Sequence, residues 1–266
     1  MPGGKRDSSK TRVQPVFGQL LSRCQDGSDW LPSLLRLTTP QDHLSAGLVA
    51  SPGTLLSGAD TCFERRFPPP ERFLRWLIEH PDAMAWPKQG PMEHVFGART
   101  QRMREALFGR NGLSAQAEAQ DAALSQMARY GASKSRRRWW TFEGFTHVDC
   151  CLETKNLLLF IEGKRTDRVS RATAWYPQRN QLARNLEVAK EHAHGREYAL
   201  LLIAEEEPQP EELDLPPGLP HLEDGERDGM LSHFLGWITW RAVCGATGTD
   251  YDALPDSTDG IGGPTG

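Results

Sequence analysis

Thr146–Thr154 (THVDCCLET), a two-residue break at Lys155-Asn156, and Leu157–Arg165 (LLLFIEGKR) decide how this chain folds. Both runs are rich in apolar and β-branched residues, as strands are, and the short break between them predicts an antiparallel hairpin. Side chains alternate across a strand, so Glu162 and Lys164 project to one face while Gly163 points away. On the preceding strand His147, Asp149 and Cys151 share a face, and the tight connection lets Asp149 lie beside Glu162 and Lys164.

Upstream, Arg137–Gly144 (RRWWTFEG) reads as the first strand of a three-stranded antiparallel meander. Ser114 is placed to cap a helix running to about Tyr130, with Ala117, Leu124, Met127 and Ala128 on its apolar side. Downstream, Pro177 suits the first turn of a helix that continues to about His194 and stops at Gly195. Its stripe is Leu182, Leu186, Ala189 and Ala193. Glu197–Ala204 (EYALLLIA) is apolar throughout, which suits a strand covered on both faces. A last helix is expected from about Gly229 to Cys244. The order predicts an α/β fold whose mixed central sheet is flanked by helices.

Around this core, residues 13–110 read as a mostly helical N-terminal region cut by prolines. Arg72–His80 (RFLRWLIEH) is its clearest amphipathic helix. The core is expected over 111–246, interrupted by a Pro/Glu-rich surface loop, Glu205–Leu222. Residues 1–12 and 247–266 lack apolar periodicity and are expected to be disordered tails.

At 266 residues, 38% hydrophobic and 25% charged, the composition is that of a soluble globular protein. No apolar run approaches the roughly 20 residues that span a bilayer, and Met1–Arg12 does not resemble a signal peptide. A cytoplasmic protein without a membrane partner is expected. Five cysteines without a CxxC spacing suggest neither a zinc site nor a disulfide framework, and Cys150 and Cys151 read as small apolar fillers. Charge is distributed unevenly. Residues 99–184 hold 16 Lys/Arg and 8 Asp/Glu, a balance of +8, whereas 205–266 hold 2 and 14, a balance of −12. A basic segment that also carries the most suggestive carboxylates suits an enzyme acting on a polyanion.

Two carboxylates and an ammonium at the end of an apolar sheet cost several kcal/mol per ion unless compensated. A divalent cation supplies that compensation. Mg²⁺ takes carboxylate and carbonyl oxygens, so Asp149, Glu162 and the backbone carbonyl of Gly163 are the candidate ligands.

Asp149, twelve intervening residues and Glu162-Gly163-Lys164 resemble the motif of the PD-(D/E)XK, or restriction-endonuclease-like, nuclease superfamily. The likeness covers about Ser114–Ala204, and His147-Val148 stand where the superfamily often has a proline. It implies an αβββαβ core, Mg²⁺ held by Asp149 and Glu162 (with Mn²⁺ able to substitute), and a Lys164 that orients or deprotonates the attacking water. Some members carry a glutamine on the helix after the E-x-K strand, for which Gln181 is the candidate. Many place a metal-associated glutamate on the first helix, for which Glu118 is the candidate.

Arg165, Arg168 and Arg171 follow the catalytic strand, and Lys134 with Arg136, Arg137 and Arg138 precede the meander. Both groups suit phosphate contacts. Trp139, Trp140 and Trp175 are candidates for base stacking or plain packing. His147 suits a place beside the metal site or a structural hydrogen bond. The expected function is metal-dependent hydrolysis of phosphodiester bonds in nucleic acid, DNA before RNA, with a homodimer admissible. The alternatives are a catalytically inactive nucleic-acid-binding module on the same fold, or an adaptor with an acidic C-terminal segment.

Overall fold

In the computed structural model, which describes residues 7–38, 44–56, 58–87, 97–132 and 138–258, the hairpin forms. Strands β2 (Thr146–Glu153) and β3 (Leu157–Lys164) run antiparallel, with Cys150 opposite Ile161 and Glu153 opposite Leu158. Strand β4 (Glu197–Ala204) lies parallel to β3 over its whole length. A parallel neighbour needs a crossover, and the helix Gln181–His192 lies on that connection. Two further strands complete a mixed sheet of order β1-β2-β3-β4-β5, with β1 at Phe63–Phe67 and β5 at Phe234–Thr239. Strand β1 is antiparallel to β2, and β5 is parallel to β4.

Helices before the sheet are α1 (Gln14–Arg23), α2 (Leu31–Arg36), α3 (Ala46–Ala50) and α4 (Ala59–Cys62). Three more, α5 (Glu71–Glu79), α6 (Ala98–Leu107) and α7 (Leu113–Tyr130), lie between β1 and β2. The crossover helix is α8, followed by α9 (Asp224–Leu231) and α10 (Trp240–Thr247). The apolar runs of β3 and β4 are buried on both faces, as expected for β4. Leu159, Ile161, Leu201 and Ile203 meet α1, α2 and α10 through Phe17, Leu20, Leu34 and Val243. Leu158, Phe160, Leu200 and Leu202 meet Leu182, Leu186 and Ala189 of α8. Each such fully buried side chain contributes about 1.5–3 kcal/mol.

The first strand differs from expectation. Arg138–Gly144 forms turns, and the rest of that stretch, with Lys134, Arg136 and Arg137, lies outside the described residues. Here Arg104 takes the backbone carbonyls a strand would use: its Nε donates to Trp139 O (2.6 Å) and its Nη2 to Thr141 O (3.3 Å). The aromatic side chains Trp140 and Phe142 bury themselves with Phe73, Leu107 and Met127 of α5, α6 and α7. Residues 68–145 therefore separate two paired strands, and their described part is an insert built on α5, α6 and α7. Helices α6 and α7 pack on each other across the expected 110/111 boundary. The region 13–110 likewise supplies a strand as well as helices.

Four other segments differ. Helix α8 starts at Gln181, not Pro177, because Asn180 caps it by accepting the Leu182 N–H (2.7 Å). The expected helix Gly229–Cys244 divides into α9, β5 and α10. Gly236, at φ +80°, sits where the β4–β5 register shifts, the position of a β-bulge. Residues 7–12 are not a loose tail: Thr11 and Arg12 are buried in a π-helical turn, Ser9–Val13, that runs into α1. Residues 250–256 also pack, with Tyr251 and Leu254 on the α1 side of the sheet. The Pro/Glu-rich loop lies against the α8 side through Leu215, Leu219 and Leu222. Among the described residues no helix is long and apolar enough to cross a membrane.

One buried ion network ties the insert to the sheet. Arg179 is fully buried and forks onto Glu143 (Nε–Oε1 2.9 Å, Nη2–Oε2 3.1 Å), while Nη2 also reaches Glu187 Oε2 (2.7 Å). Its Nη1 donates to Gly218 O (2.7 Å), and its guanidinium lies 3.7 Å from the Phe73 ring centre. Burial alone would lower the guanidinium pKa, but Glu143 and Glu187 outweigh it and hold it raised. Arg179→Ala is expected to lower the unfolding free energy by about 3–5 kcal/mol, since it strands two buried carboxylates. Urea denaturation measures this, and a loss under about 1 kcal/mol would show that the network does not anchor the insert.

Candidate active site

The end of the hairpin opens into a cavity of about 720 Å³. Asp149 and Glu162 line it together with Lys164, Gln181, Glu64 and Arg184. The registered pairing of β2 with β3 extends only to Cys150↔Ile161. Beyond it the Asp149 side chain replaces a backbone partner, and its Oδ2 accepts the Gly163 N–H at 2.9 Å. The part of Gly163 that meets the carboxylates is thus its amide. A side chain at 163 would run into Val13 Cγ2 and come within 3.0 Å of Trp240 Cζ2, so only glycine leaves this wall in place. The Trp240 indole fixes the next residue by donating to Lys164 O (2.9 Å).

Glu162 is buried, and three donors converge on its carboxylate. Gln181 Nε2 reaches Oε1 (2.7 Å), Asn185 Nδ2 reaches Oε2 (2.8 Å), and Lys164 Nζ reaches Oε1 (2.8 Å). Gln181 and Asn185 are one helical turn apart, which puts both on the face of α8 that overlooks β3. The Gln181 amide is oriented because its Oε1 accepts the Ser170 N–H (3.3 Å), leaving Nε2 for Glu162. Lys164 also pairs with Asp167 (Nζ–Oδ2 3.3 Å). Burial would lower the Lys164 pKa, but Glu162 and Asp167 outweigh it and keep the ammonium raised above its ordinary value.

Asp149 is in the opposite condition. Burial first, and the neighbouring Glu162 carboxylate second, push its pKa well above the ordinary 3.8, and Glu64 adds to the repulsion. Glu64 reaches the site through a break in strand alternation. Phe63 and Cys150 pack on the α1 side, whereas Val148, Cys151 and Phe67 pack on the α8 side. Strict alternation would put Val148 and Cys150 on one face. The slip falls at Asp149 and at Glu64, whose φ is +50°. Ser9 Oγ donates to Glu64 Oε1, so the N-terminal turn forms the facing wall.

Several expected site residues lie elsewhere. Glu118 is exposed on α7, where it accepts from Ser114 Oγ (3.3 Å), because α7 belongs to the insert and not to the sheet. Arg165 is nearly buried and braces the chain's last described segment, donating to Asp256 O (2.8 Å) and Asp256 Oδ1 (3.0 Å). Arg168 pairs with Glu212 (3.4 Å) beside a neighbouring cleft, and Arg171 is exposed without lining the cavity. Arg138 stacks on Tyr130 (3.7 Å) in the insert. Trp139, Trp140 and Trp175 are packed in the insert's apolar cluster. His147 does line the cavity.

Residues not singled out as site residues complete the set: Glu64, Asn185, Arg184, Asp167, Asp7 and Ser9. Only Asn185 carried a local signal, as a polar position one turn beyond Gln181. The carboxylates lining the cavity are Asp7, Glu64, Asp149, Glu162 and Asp167, against the cations Lys164 and Arg184. The site is therefore acidic, and it attracts cations before it attracts phosphate. Among the described residues no group of three or more His, Cys, Asp or Glu side chains is arranged to hold a metal ion. Compared with protein-family models, curated proteins and solved structures, the chain matches none.

The raised Asp149 pKa fixes the sign of a pH effect. An unfolded chain ionises this group near 3.8, whereas the folded protein resists ionisation. Its unfavourable contribution is absent below the unfolded value, grows as pH rises, and is complete above the folded one. Asp149→Asn is expected to melt at a higher temperature than the native protein near neutral pH in chelator, with the gap closing toward pH 4. Scanning calorimetry across that range checks it. A native midpoint equal to or above the variant's at neutral pH would refute the repulsion.

Proposed function

We propose that this chain is a divalent-metal-dependent nuclease whose reaction centre is Asp149, Glu162 and Lys164. The observation that carries the reading is the meeting of two mutually repelling carboxylates and one ammonium at the splayed end of β2 and β3, inside one cavity. The strand and crossover order also agrees with the resemblance to the restriction-endonuclease-like core, with β1 in place of the upstream segment expected.

The donor set fits Mg²⁺, or Mn²⁺ in its place. Mg²⁺ needs only one or two carboxylates and fills its remaining positions with water and phosphate oxygens, so a three-residue cage is unnecessary. Asp149 accepts one hydrogen bond, through Oδ2, and Glu162 Oε2 accepts one from Asn185, so each keeps oxygen lone pairs directed elsewhere. Asp149 and Glu162 would hold the ion, with Glu64 next to them in place of Glu118. A bound cation supplies positive charge to the phosphate and acidifies the attacking water.

The chain's own residues do the rest. Gln181 and Asn185 donate to the two oxygens of Glu162 and fix its rotamer, so the carboxylate is preorganised. Lys164, kept protonated by Glu162 and Asp167, places an ammonium where negative charge develops on the scissile phosphate. The same ammonium can donate a hydrogen bond that orients the water. The cavity's net negative charge would repel a bare phosphodiester, so substrate entry is coupled to cation binding. DNA is the preferred substrate in this reading, on the strength of the resemblance.

The test is incubation of the protein with plasmid, linear duplex and single-stranded DNA and with RNA, in Mg²⁺ or Mn²⁺. Cleavage of at least one substrate is expected. Lys164→Ala should lower the rate by about 10²–10³-fold, and Asp149→Ala should abolish it. Mg²⁺ should stabilise the native fold by about 2.7 kcal/mol at a hundredfold excess over its dissociation constant, and should not stabilise Asp149→Ala. Cleavage unchanged in Lys164→Ala would mean a different active site. Metal binding with no cleavage of any substrate would favour the inactive nucleic-acid-binding module.

A further inference from the structure

Among the described residues the cavity has two cations, Lys164 and Arg184, and their surroundings differ. Lys164 is committed to Glu162 and Asp167. Arg184 lines the same cavity and makes no ion pair among the described residues, and its Nε is buried without a hydrogen-bond partner. A guanidinium is a donor only, so with no ion pair among the described residues the remaining N–H groups of Arg184 are open to an incoming acceptor. The group stands on α8 at i+3 from Gln181, and therefore on the helix wall of the cavity, facing the strand wall that carries Asp149, Glu162 and Lys164.

We infer that Arg184 binds a backbone phosphate of the substrate strand, through the paired N–H groups of its fork, and so positions the strand across the carboxylates. This inference rests on the nuclease reading. Phosphate fits the site better than the other common acceptors. A carboxylate ligand would be a single anion in a cavity already lined by five carboxylates, whereas a nucleic-acid strand carries a phosphate at every residue and meets bound cations at the same time. The planar fork matches two phosphate oxygens, a geometry that lysine does not reproduce. Arg184 is thus a binding residue that acts on the strand in the ground state. The contact is ionic and sequence-independent, and it selects for a polyanion and not for a base.

The experiment compares the native protein with Arg184→Ala and Arg184→Lys. It measures steady-state cleavage of the preferred oligonucleotide in Mg²⁺, and equilibrium binding of the same oligonucleotide in Ca²⁺ over a range of salt. The expected result for Arg184→Ala is a rise in KM of about 10- to 100-fold with kcat nearly unchanged, which is the signature of lost uniform binding. The slope of log affinity against log salt should also fall by about 1. Arg184→Lys should restore the slope but only part of the affinity, a pattern that a purely structural role would not produce. Native KM and salt slope in a folded Arg184→Ala would overturn the inference and leave the nuclease reading standing, as would a fall in kcat at constant KM. Absence of cleavage by the native protein on every substrate would overturn both.

Discussion

Two carboxylates, Asp149 and Glu162, lie side by side at the end of an apolar sheet, and the surrounding architecture answers that repulsion. Glu162 takes three donors from β3 and α8. Asp149 takes one backbone amide and is pushed toward its protonated form. The asymmetry is physical in origin. Helix α8 covers Glu162 and brings side-chain amides with it, whereas Asp149 sits where the β2–β3 ladder ends. Unequal support of paired acids is a common way for a site to store affinity for a cation.

The hairpin and its three charged residues were legible because they depend on local rules. Period-two alternation, a short connection and one apolar run place Asp149, Glu162 and Lys164 without reference to distant parts of the chain. Gln181 was legible through the resemblance, which places a glutamine on the helix after the E-x-K strand. What could not be read depended on partners far along the chain. Arg138–Gly144 has strand-like composition, but Arg104, from another helix, takes its carbonyls. Phe63–Phe67 is short and charged, and it becomes a strand only because the exposed edge of β2 accepts it. The basic residues after β3 looked suited to phosphate, but Arg165 meets a segment some ninety positions later and is used to hold it.

That segment is part of a second polar assembly behind the site. Arg12 pairs with Glu205 and donates to Pro255 O (2.8 Å), and Tyr251 donates to Glu205 Oε2 (2.6 Å). The N-terminal turn is therefore clamped between the loop after β4 and the 250–256 segment. Val13 bears on Gly163 from the same turn, and Ser9 reaches Glu64. Asp7, Ser8 and Ser9, within what looked like a featureless tail, line the cavity, and the 250–256 segment backs the turn that carries them. Their polar composition, which argued against burial, reflects ion pairs that only the folded chain makes.

The insert has an energetic consequence for the site. Strands β1 and β2 are neighbours in the sheet but are separated by residues 68–145. Closing a flexible loop of that length costs about 3 kcal/mol more than closing a two-residue turn. A packed insert with its own apolar cluster, moored to α8 by Arg179, shortens the loop that must be closed. Folding of residues remote from the chemistry and docking of the strand that carries Glu64 are thus thermodynamically linked. Loosening the insert would leave the Asp149–Glu162 pair intact while removing its third carboxylate neighbour, so the number of acidic groups the cavity presents is set by the stability of a subdomain that contributes no carboxylate to it among the described residues.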